Sequence, residues 1–527
     1  MSRDKPGKLL LMSRPLRMGA AAAVVSASIL LSRLLGLARE ALLAGLIGVN
    51  SEGDLYRFAF TLPDLLNYFL AGGYLTITLI PILSRYVESR DPIGLNRAFS
   101  SVFRFVAVAV VAITTVMWLA ADPLVSLVFP DAVDHERLVS LTRLVLPAQI
   151  FLVLGALLVA VQYTQRRFVL PALAPVIYNL SIILGGLIGA ASGEASPESF
   201  LWGAVIGSIV GNFGIQWYGA RQTGARLTKV PKGESSVKEY LLLALPLMLG
   251  QSIAVLDEQF VRFFAQVEQG ATSALTFARQ LNMVPVGVIA QAAGVAAFPF
   301  LARLWAKGDK DGLVHATGRA ARNTLFVAAA ATAALIVLAQ PLVRVLYQYG
   351  EFSSSDSALV ATLLTIYAFS IPAWGLQAIL SRHFYAKRRM WTPVIIGTVG
   401  TIVAIPLWTG LYGQLGVEGF ALASVLVISA YAAALIVAWG YDSGWTAVKR
   451  LLPSLARGAV AAAGAVLLAL PLVNTLLGSG EVSVARGLSA AALGGLTSLA
   501  TFLIVSLVLR APELGELRRN RTDDRPT

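Results

Sequence analysis

Long apolar runs separated by short charged loops constrain the fold of this chain more than any other feature. A helix needs about 20 mainly apolar residues to cross a bilayer, and runs of that length recur along the chain. Hydrophobic residues make up 57% of the chain and charged residues 13%, against about 45–50% and about 25% in soluble domains. We therefore predict an all-α polytopic membrane protein with about fourteen transmembrane helices. The predicted spans are 18–46, 57–84, 99–120, 138–161, 169–191, 200–219, 240–265, 273–304, 322–346, 358–381, 392–409, 418–440, 455–474 and 487–509.

Lysine and arginine collect in every second loop between these spans. The loops near residues 85–97, 166–167 and 221–238 are basic, whereas 49–54 and 349–357 contain no Lys or Arg. Basic loops stay on the cytoplasmic side of a membrane, so we predict a multi-pass membrane protein with both termini in the cytoplasm. The net charge of +13 follows from these loops and does not indicate nucleic-acid binding.

The two halves of the chain carry similar segments at nearly constant spacing. PILSR at 81–85 matches PFLAR at 299–303, and PLVSLVF at 123–129 matches PLVRVLY at 341–347 with the same spacing. YTQRRFVLP at 163–171 matches YAKRRMWTP at 385–393 at a slightly longer spacing along the chain. An even number of spans per repeat keeps both copies in one orientation. The predicted architecture is two six-helix lobes related by a parallel repeat, residues 1–220 and 221–440, followed by two C-terminal helices and a cytoplasmic tail, 441–527.

Two arginines lie deep within the first predicted span. With about 1.5 Å of rise per residue, Arg33 lies roughly 20 Å beyond Gly19, too far to reach either interface easily. Arg33 and Arg39, with Ser32 beside them, form a candidate substrate-binding site for an anion, because guanidinium groups bind phosphate through paired hydrogen bonds. In the alternative interpretation, the two arginines pair with Glu40 or with backbone carbonyls and only join helices.

The seventh and eighth predicted spans carry further polar groups. Arg262, Arg279 and Asn282 are the candidate substrate-binding residues, and Glu258 is spaced to pair with Arg262 along one helix face. Asp257 is a candidate proton or sodium site, but it is equally able to pair with Arg279. The chain has no cysteine and only three histidines, which are far apart in sequence. Metal-centred catalysis is therefore disfavoured, and we expect no cofactor other than a coupling ion.

At these residues the chain resembles the MurJ/MviN family, the lipid II flippases of peptidoglycan synthesis within the MOP exporter superfamily. The motifs that carry the resemblance are Ser32, Arg33, Gly36, Arg39 and Glu40; Asp54, Ala59, Phe60, Leu62 and Pro63; Gln348, Tyr349, Gly350 and Phe352; and Phe384, Tyr385, Thr392 and Pro393. The chain departs from the family pattern at Asn67, at Gly72 and at Ala278-Arg279-Gln280-Leu281. In the last of these, either the cavity arginine is displaced by one position or the local register differs.

The resemblance implies two lobes around a central cationic cavity and alternating access. It also implies movement of an undecaprenyl-diphosphate-linked saccharide-peptide from the inner to the outer leaflet of the bacterial cytoplasmic (inner) membrane. It assigns the diphosphate to Arg33 and Arg39 and a periplasmic gate to Asp54, with Glu40 and Arg57 in the same gate region. The expected partners are lipid II and membrane lipids, with no nucleic acid, and the protein is expected to be a monomer that works near cell-wall synthases.

Two other functions remain open from the sequence. A related exporter of another lipid-linked polysaccharide or of drugs would share the fold, although a drug exporter should favour acidic and aromatic cavity residues over arginine. A membrane glycosyltransferase or phosphotransferase should carry paired acids or histidine in a large loop. The longest internal loop, about 219–239, is basic and lacks such a pair, so we expect a transporter and not an enzyme.

Overall fold

The computed structural model of the protein describes residues 18–70, 74–132, 134–193, 195–231, 235–244, 262–263, 268–290, 296–478 and 483–519. Helices make up nearly all of these residues, and no strand occurs among them. The predicted all-α class is therefore confirmed. The chain divides into two compact units, Met1–Thr272 and Ser273–Thr527, while the lobe boundaries placed at 220 and 440 stay a prediction.

The first unit is built around a helical core of apolar side chains. Leu79, Val102 and Leu157 are fully buried in this core, and α1 packs along α9 beside it. The helices are α1 (Met18–Leu46), α2 (Ser51–Ala59), α3 (Thr61–Leu70), α4 (Tyr74–Glu88), α5 (Pro92–Leu119), α6 (Ala121–Val128), α7 (His135–Val145), α8 (Ala148–Thr164), α9 (Val169–Ala191), α10 (Pro197–Gly207) and α11 (Ile215–Gln222), with a π-helical turn at Ser208–Gly214 between the last two.

The second unit contains longer helices. Its buried centre includes Phe384, Leu435 and Trp439. The helices are α12 (Ala271–Ala290), α13 (Ala296–Ala306), α14 (Lys310–Tyr347), α15 (Ser354–Ala368), α16 (Ile371–Ala386), α17 (Trp391–Ser443), α18 (Trp445–Lys449), α19 (Leu452–Leu477), α20 (Val484–Val508) and α21 (Pro512–Arg519). Helix α17 contains two predicted spans and bends at Gly416, where φ is +59°. Only glycine adopts that conformation without strain.

The described residues include nine helical segments that are long and apolar enough to cross a membrane. Large apolar side chains such as Val108, Leu187 and Leu468 point outward from them, as expected where lipid replaces water as the solvent. The protein is therefore a multi-pass membrane protein. Most of the predicted seventh span, 240–265, lies outside the described residues, so the count of fourteen stays a prediction.

Local structure repeats at the spacing found in the sequence. Asp91 caps α5, and its counterpart Asp309 in the second half caps α14, each side chain accepting a bond from the amide of a glycine. Arg166 and Arg388, which occupy matching positions of the later repeat segment, both adopt positive φ, 56° and 58°, in turns between two helices. Non-glycine residues seldom adopt this conformation. Shared capping and turn geometry therefore supports an internal duplication over chance similarity of apolar helices.

Candidate functional site

Asn179 of α9 joins two predicted site residues of α1. Residues seven apart on a helix lie on nearly the same face, and Asn179 lies opposite the face that carries Ser32 and Arg39. Its Nδ2 donates to Ser32 Oγ at 3.3 Å and its Oδ1 accepts from Arg39 Nη1 at 3.1 Å. Nδ2 also donates to Pro175 O at 2.9 Å. These bonds fix the amide, and the amide fixes the Arg39 guanidinium against α9.

Glu40 lies between two guanidinium groups. Arg39 Nη2 donates to Glu40 Oε1 at 2.7 Å, and Arg57 Nη2 from α2 donates to Oε2 at 3.3 Å. The side chains of Glu40 and Arg57 are 3% and 6% exposed, whereas that of Arg39 is 22% exposed. Pairing with Glu40, one alternative raised by the sequence, therefore does occur for Arg39. It leaves Arg39 Nε without a hydrogen-bond partner in the described structure.

Arg33 differs from Arg39 in its surroundings. Its side chain is exposed, and no acceptor for it occurs among the residues that the structure describes. Gly36 lies about one turn from each arginine, and a Cβ atom there would meet no atom of the described residues within 4 Å. In the described part of the first unit, the surface of α1 between the two arginines is therefore open.

Arg262, a predicted substrate-binding residue, forms an ion pair. Its Nη1 donates to Asp64 Oδ2 of α3 at 3.0 Å and to Thr61 Oγ1 at 3.4 Å. The Arg262 side chain is only 14% exposed. Asp64 therefore partly neutralises this arginine, and Glu258, the partner suggested by sequence spacing, lies outside the described residues.

Tyr56 of α2 is buried next to Arg57, in the region that contains both ion-pair groups. The described part of this region holds four arginines, Arg33, Arg39, Arg57 and Arg262, against the carboxylates of Glu40 and Asp64. Among the described residues, no carboxylate pairs with Arg33. A guanidinium group without a carboxylate partner can bind an anion.

Asp54, the predicted gate residue, lies at the start of α2 and is buried. Its Oδ2 accepts a hydrogen bond from the Gly270 amide at 2.7 Å. Gly270 has φ of +80°, and a Cβ atom there would lie 2.8 Å from Val49 O. Close packing of backbone against backbone thus brings the segment before α12 to the turn between α1 and α2. Glu40 and Arg57, assigned to the same gate region, form the buried ion pair, and their role in a gate stays a prediction.

The predicted residues of α12 lie in the second unit. Arg279 and Gln280 are half-buried. Asn282 is buried, and its Nδ2 donates to Ser370 Oγ at 3.0 Å. Its Oδ1 has no hydrogen-bond partner in the described structure. In the described structure Asn282 Oδ1 is therefore a free acceptor, while Nδ2 bonds the turn between α15 and α16.

The ion site suggested for Asp257 falls on residues that the structure does not describe. Within the described ranges, no three His, Asp or Glu side chains converge in a way that could hold a metal ion. The coupling ion stays a prediction.

Sequence reasoning missed two residues of this site, Asn179 and Asp64. Both are polar residues in otherwise apolar surroundings, which is the signal that could have identified them. Their partners lie 140 and 198 residues away along the chain, so the pairing itself could not be read from local spacing.

Comparison with known proteins identifies related chains. The family model described as "Lipid II flippase MurJ" matches residues 43–484. A probable lipid II flippase MurJ of Rhizobium tropici is 27% identical over 94% of this chain and 95% of its own length. The lipid II flippase MurJ of Burkholderia cenocepacia is 28% identical over 73% of this chain and 76% of its own length. The matched segment includes Asp54, Arg57 and Arg262 and begins after Arg39.

Two solved structures share the fold. A lipid II flippase MurJ in an inward closed conformation aligns with a TM-score of 0.74 and 21% identity over 92% of this chain and 99% of its own. An inward-facing MATE multidrug transporter of the MOP superfamily aligns with a TM-score of 0.65 and 18% identity over 79% of this chain and 96% of its own. These similarities show a transporter fold of the MOP type.

Proposed function

The chain belongs to the MurJ family of lipid II flippases, and from this membership we propose how it moves its cargo. The cargo is the undecaprenyl-diphosphate-linked peptidoglycan precursor, which passes from the inner to the outer leaflet of the bacterial cytoplasmic membrane. Its diphosphate carries the negative charge that must cross the apolar interior. A protein that lowers this cost needs fixed cations inside the membrane.

The two arginines of α1 are the observation that carries this proposal. Arg33 is exposed, the Arg39 side chain is 22% exposed, and the described surface between them at Gly36 is open. Guanidinium groups bind phosphate oxygens through paired hydrogen bonds and stay charged at any physiological pH. In our proposal Arg33 and Arg39 hold the diphosphate, and the prenyl tail stays in lipid.

Asn179 and Glu40 have positioning roles in this proposal. Asn179 holds one amino group of Arg39 and Glu40 holds the other, so the guanidinium is oriented before the cargo arrives. A preoriented group loses less entropy on binding. Glu40 also partly neutralises Arg39 and so weakens its binding of the diphosphate, which allows the cargo to be released.

Transport in this proposal follows alternating access, with the bond between Asp54 and the Gly270 amide closing the outer side. Opening that side requires the bond to break. The membrane potential acting on charged groups, or a proton or sodium ion bound near Asp257, biases the two states. No covalent bond is formed or broken, so the protein acts as a transporter and needs no catalytic residue.

The charge pattern of the loops supports a topology with both termini in the cytoplasm. We propose that the protein works as a monomer in the cytoplasmic membrane, close to the synthases that consume lipid II. Export of drugs is the competing proposal, since a MATE transporter shares the fold. The positive charge of Arg33, which no described carboxylate balances, disfavours that cargo wherever the drug is a cation.

Binding of lipid II to the purified protein, measured by native mass spectrometry, tests the proposal. We expect Arg33→Ala combined with Arg39→Ala to weaken binding by at least about tenfold, since each lost charged hydrogen bond is worth about 1.5–3 kcal/mol. Arg104→Ala is the matched control, because Arg104 is another exposed arginine on a membrane-spanning helix of the same unit. Equal binding by the double variant, or no preference for lipid II over undecaprenyl phosphate, would overturn the proposed site.

A further inference from the structure

A polar cavity lies in the second unit, between α14, α15 and α19. Its volume is about 370 Å³, within the usual range for small-ligand sites. It lies at the helix ends remote from the basic loops, where α14 and α19 lead into the segments 348–353 and 478–485, which contain no Lys or Arg. By the same charge rule this is the outer side of the membrane.

Arg344 provides the positive charge of this cavity. The side chain is half-buried near the end of α14, and in the described structure its Nε is buried without a hydrogen-bond partner. None of the described lining residues is acidic. In the repeat segment PLVSLVF at 123–129, the position that corresponds to Arg344 is Ser126, so the second half alone has this arginine.

The remaining lining residues complete an amphipathic site. Gln340 and Asn474 present side-chain amides, which can donate hydrogen bonds. Thr362 and Thr365 already donate to carbonyls of their own helix, so they offer only lone pairs. Ile336, Leu470 and Leu477 form the apolar wall. A site of this kind suits a ligand with an anionic head and an apolar stem.

We propose that this cavity, which we name the Arg344 cavity, binds the phosphate ester of a membrane lipid in the outer leaflet. The Arg344 guanidinium binds the phosphate oxygens, Gln340 and Asn474 donate to the remaining ones, and the acyl or prenyl chain lies along the apolar wall. The alternative is that Arg344 only extends to the membrane surface with its charge in water. This proposal does not depend on the cargo of the first unit.

Native mass spectrometry with three lipids tests the Arg344 cavity. Phosphatidylglycerol and undecaprenyl phosphate represent the two sources of a lipid phosphate, and diacylglycerol has the same tails as the first lipid without the phosphate. We expect Arg344→Gln to weaken binding of at least one phosphate lipid by about tenfold, as for one lost charged hydrogen bond. Which lipid is lost identifies the source. Diacylglycerol binding should not change.

Arg486→Gln is the matched control, because Arg486 is an exposed arginine on the same side of the same unit. Asn474→Leu is the second variant, since Asn474 is exposed and its replacement removes an amide donor without removing charge. It should weaken the same lipid if Arg344→Gln does not fold. Equal losses for Arg344→Gln and Arg486→Gln, unchanged binding by Asn474→Leu, or binding of diacylglycerol as tight as that of the phosphate lipids, would overturn the proposal.

Discussion

Arg57 of α2 donates to Glu40 of α1 over 3.3 Å, and both side chains are almost completely buried. Arg39 binds the other carboxylate oxygen at 2.7 Å. One carboxylate therefore accepts hydrogen bonds from two guanidinium groups. Removing one partner of a buried ion pair leaves an uncompensated charge, which makes this carboxylate a structural requirement of the first unit.

Glu40→Gln should destabilise the protein by about 3–5 kcal/mol, the usual cost of breaking a buried pair. Denaturant unfolding in detergent micelles measures this change in the free energy of unfolding. The control is Glu52→Gln, since Glu52 also binds an arginine, Arg137, but is 36% exposed, and exposed pairs are worth less than about 1 kcal/mol. Equal losses for the two variants would show that Glu40 is not a buried counter-charge.

Asn179→Asp should weaken lipid II binding by at least about tenfold while the protein stays folded. The new carboxylate would lie at the position of an oxygen now 3.1 Å from Arg39 Nη1, and it would compete with the diphosphate for the guanidinium. Native mass spectrometry gives the affinity. Asn179→Ala, which loses the hydrogen bonds without adding charge, should cost less. If the alanine variant binds more weakly than the aspartate variant, competition by charge is the wrong explanation.

Asp54→Ala and Gly270→Ala should both open the outer side of the first unit. The first removes the acceptor of the Gly270 amide, and the second places a Cβ atom 2.8 Å from Val49 O at a φ of +80°. The chain has no cysteine, so a single Leu55→Cys reports the opening through its rate of labelling by a membrane-impermeant maleimide. Leu55 is buried, and we expect the labelling rate to rise in both variants.

Gly193→Ala is the control for the opening experiment. Gly193 has φ of +81°, but a Cβ atom added to it would meet no atom of the described residues within 4 Å, so alanine there brings the same backbone strain without the contact. Labelling of Leu55→Cys should stay at the basal rate in this variant. A rate equal to that of Gly270→Ala would assign the effect to strain alone.

Protection of the C-terminal helix α21 should depend on pH through Glu513. Burial raises the pKa of this carboxyl, but hydrogen bonds from Ser454 and Arg457 outweigh it, and the pKa lies below its ordinary value. The ionised Glu513 carboxylate therefore stabilises the folded state fully at a pH above the ordinary carboxyl pKa. This stabilisation is lost as the pH falls through the lowered pKa. Hydrogen-exchange protection of 512–519 should fall over that range, and Glu513→Gln should abolish the dependence. Unchanged pH dependence in Glu513→Gln would contradict this role.

The sequence predicted helices well where an apolar run is uninterrupted. The predicted spans 18–46 and 169–191 coincide with α1 and α9. The span predicted at 57–84 is broken, because α2 ends at Ala59 and α3 begins at Thr61. Hydropathy measures only how apolar a segment is, so it does not show where one helix ends and the next begins within a predicted span.

The site was predictable only in part, for a related reason. An arginine inside an apolar run is conspicuous, so Arg33, Arg39 and Arg262 could be selected as candidates. Their partners Asn179 and Asp64 come from other helices, and no local pattern links them. Whether an arginine is paired or free decides its chemistry, and this depends on tertiary contacts.

Movement of fluorescent lipid II across proteoliposome membranes is the most direct test of the central claim that the arginines of α1 carry the diphosphate. A membrane-impermeant reductant added outside destroys the fluorophore only on lipid II in the outer leaflet, so the rate of further loss reports translocation. We predict rapid loss with the native chain and with Arg104→Ala, and at least about tenfold slower loss when Arg33 and Arg39 are both replaced by alanine. Translocation by that double variant at the native rate would contradict the account.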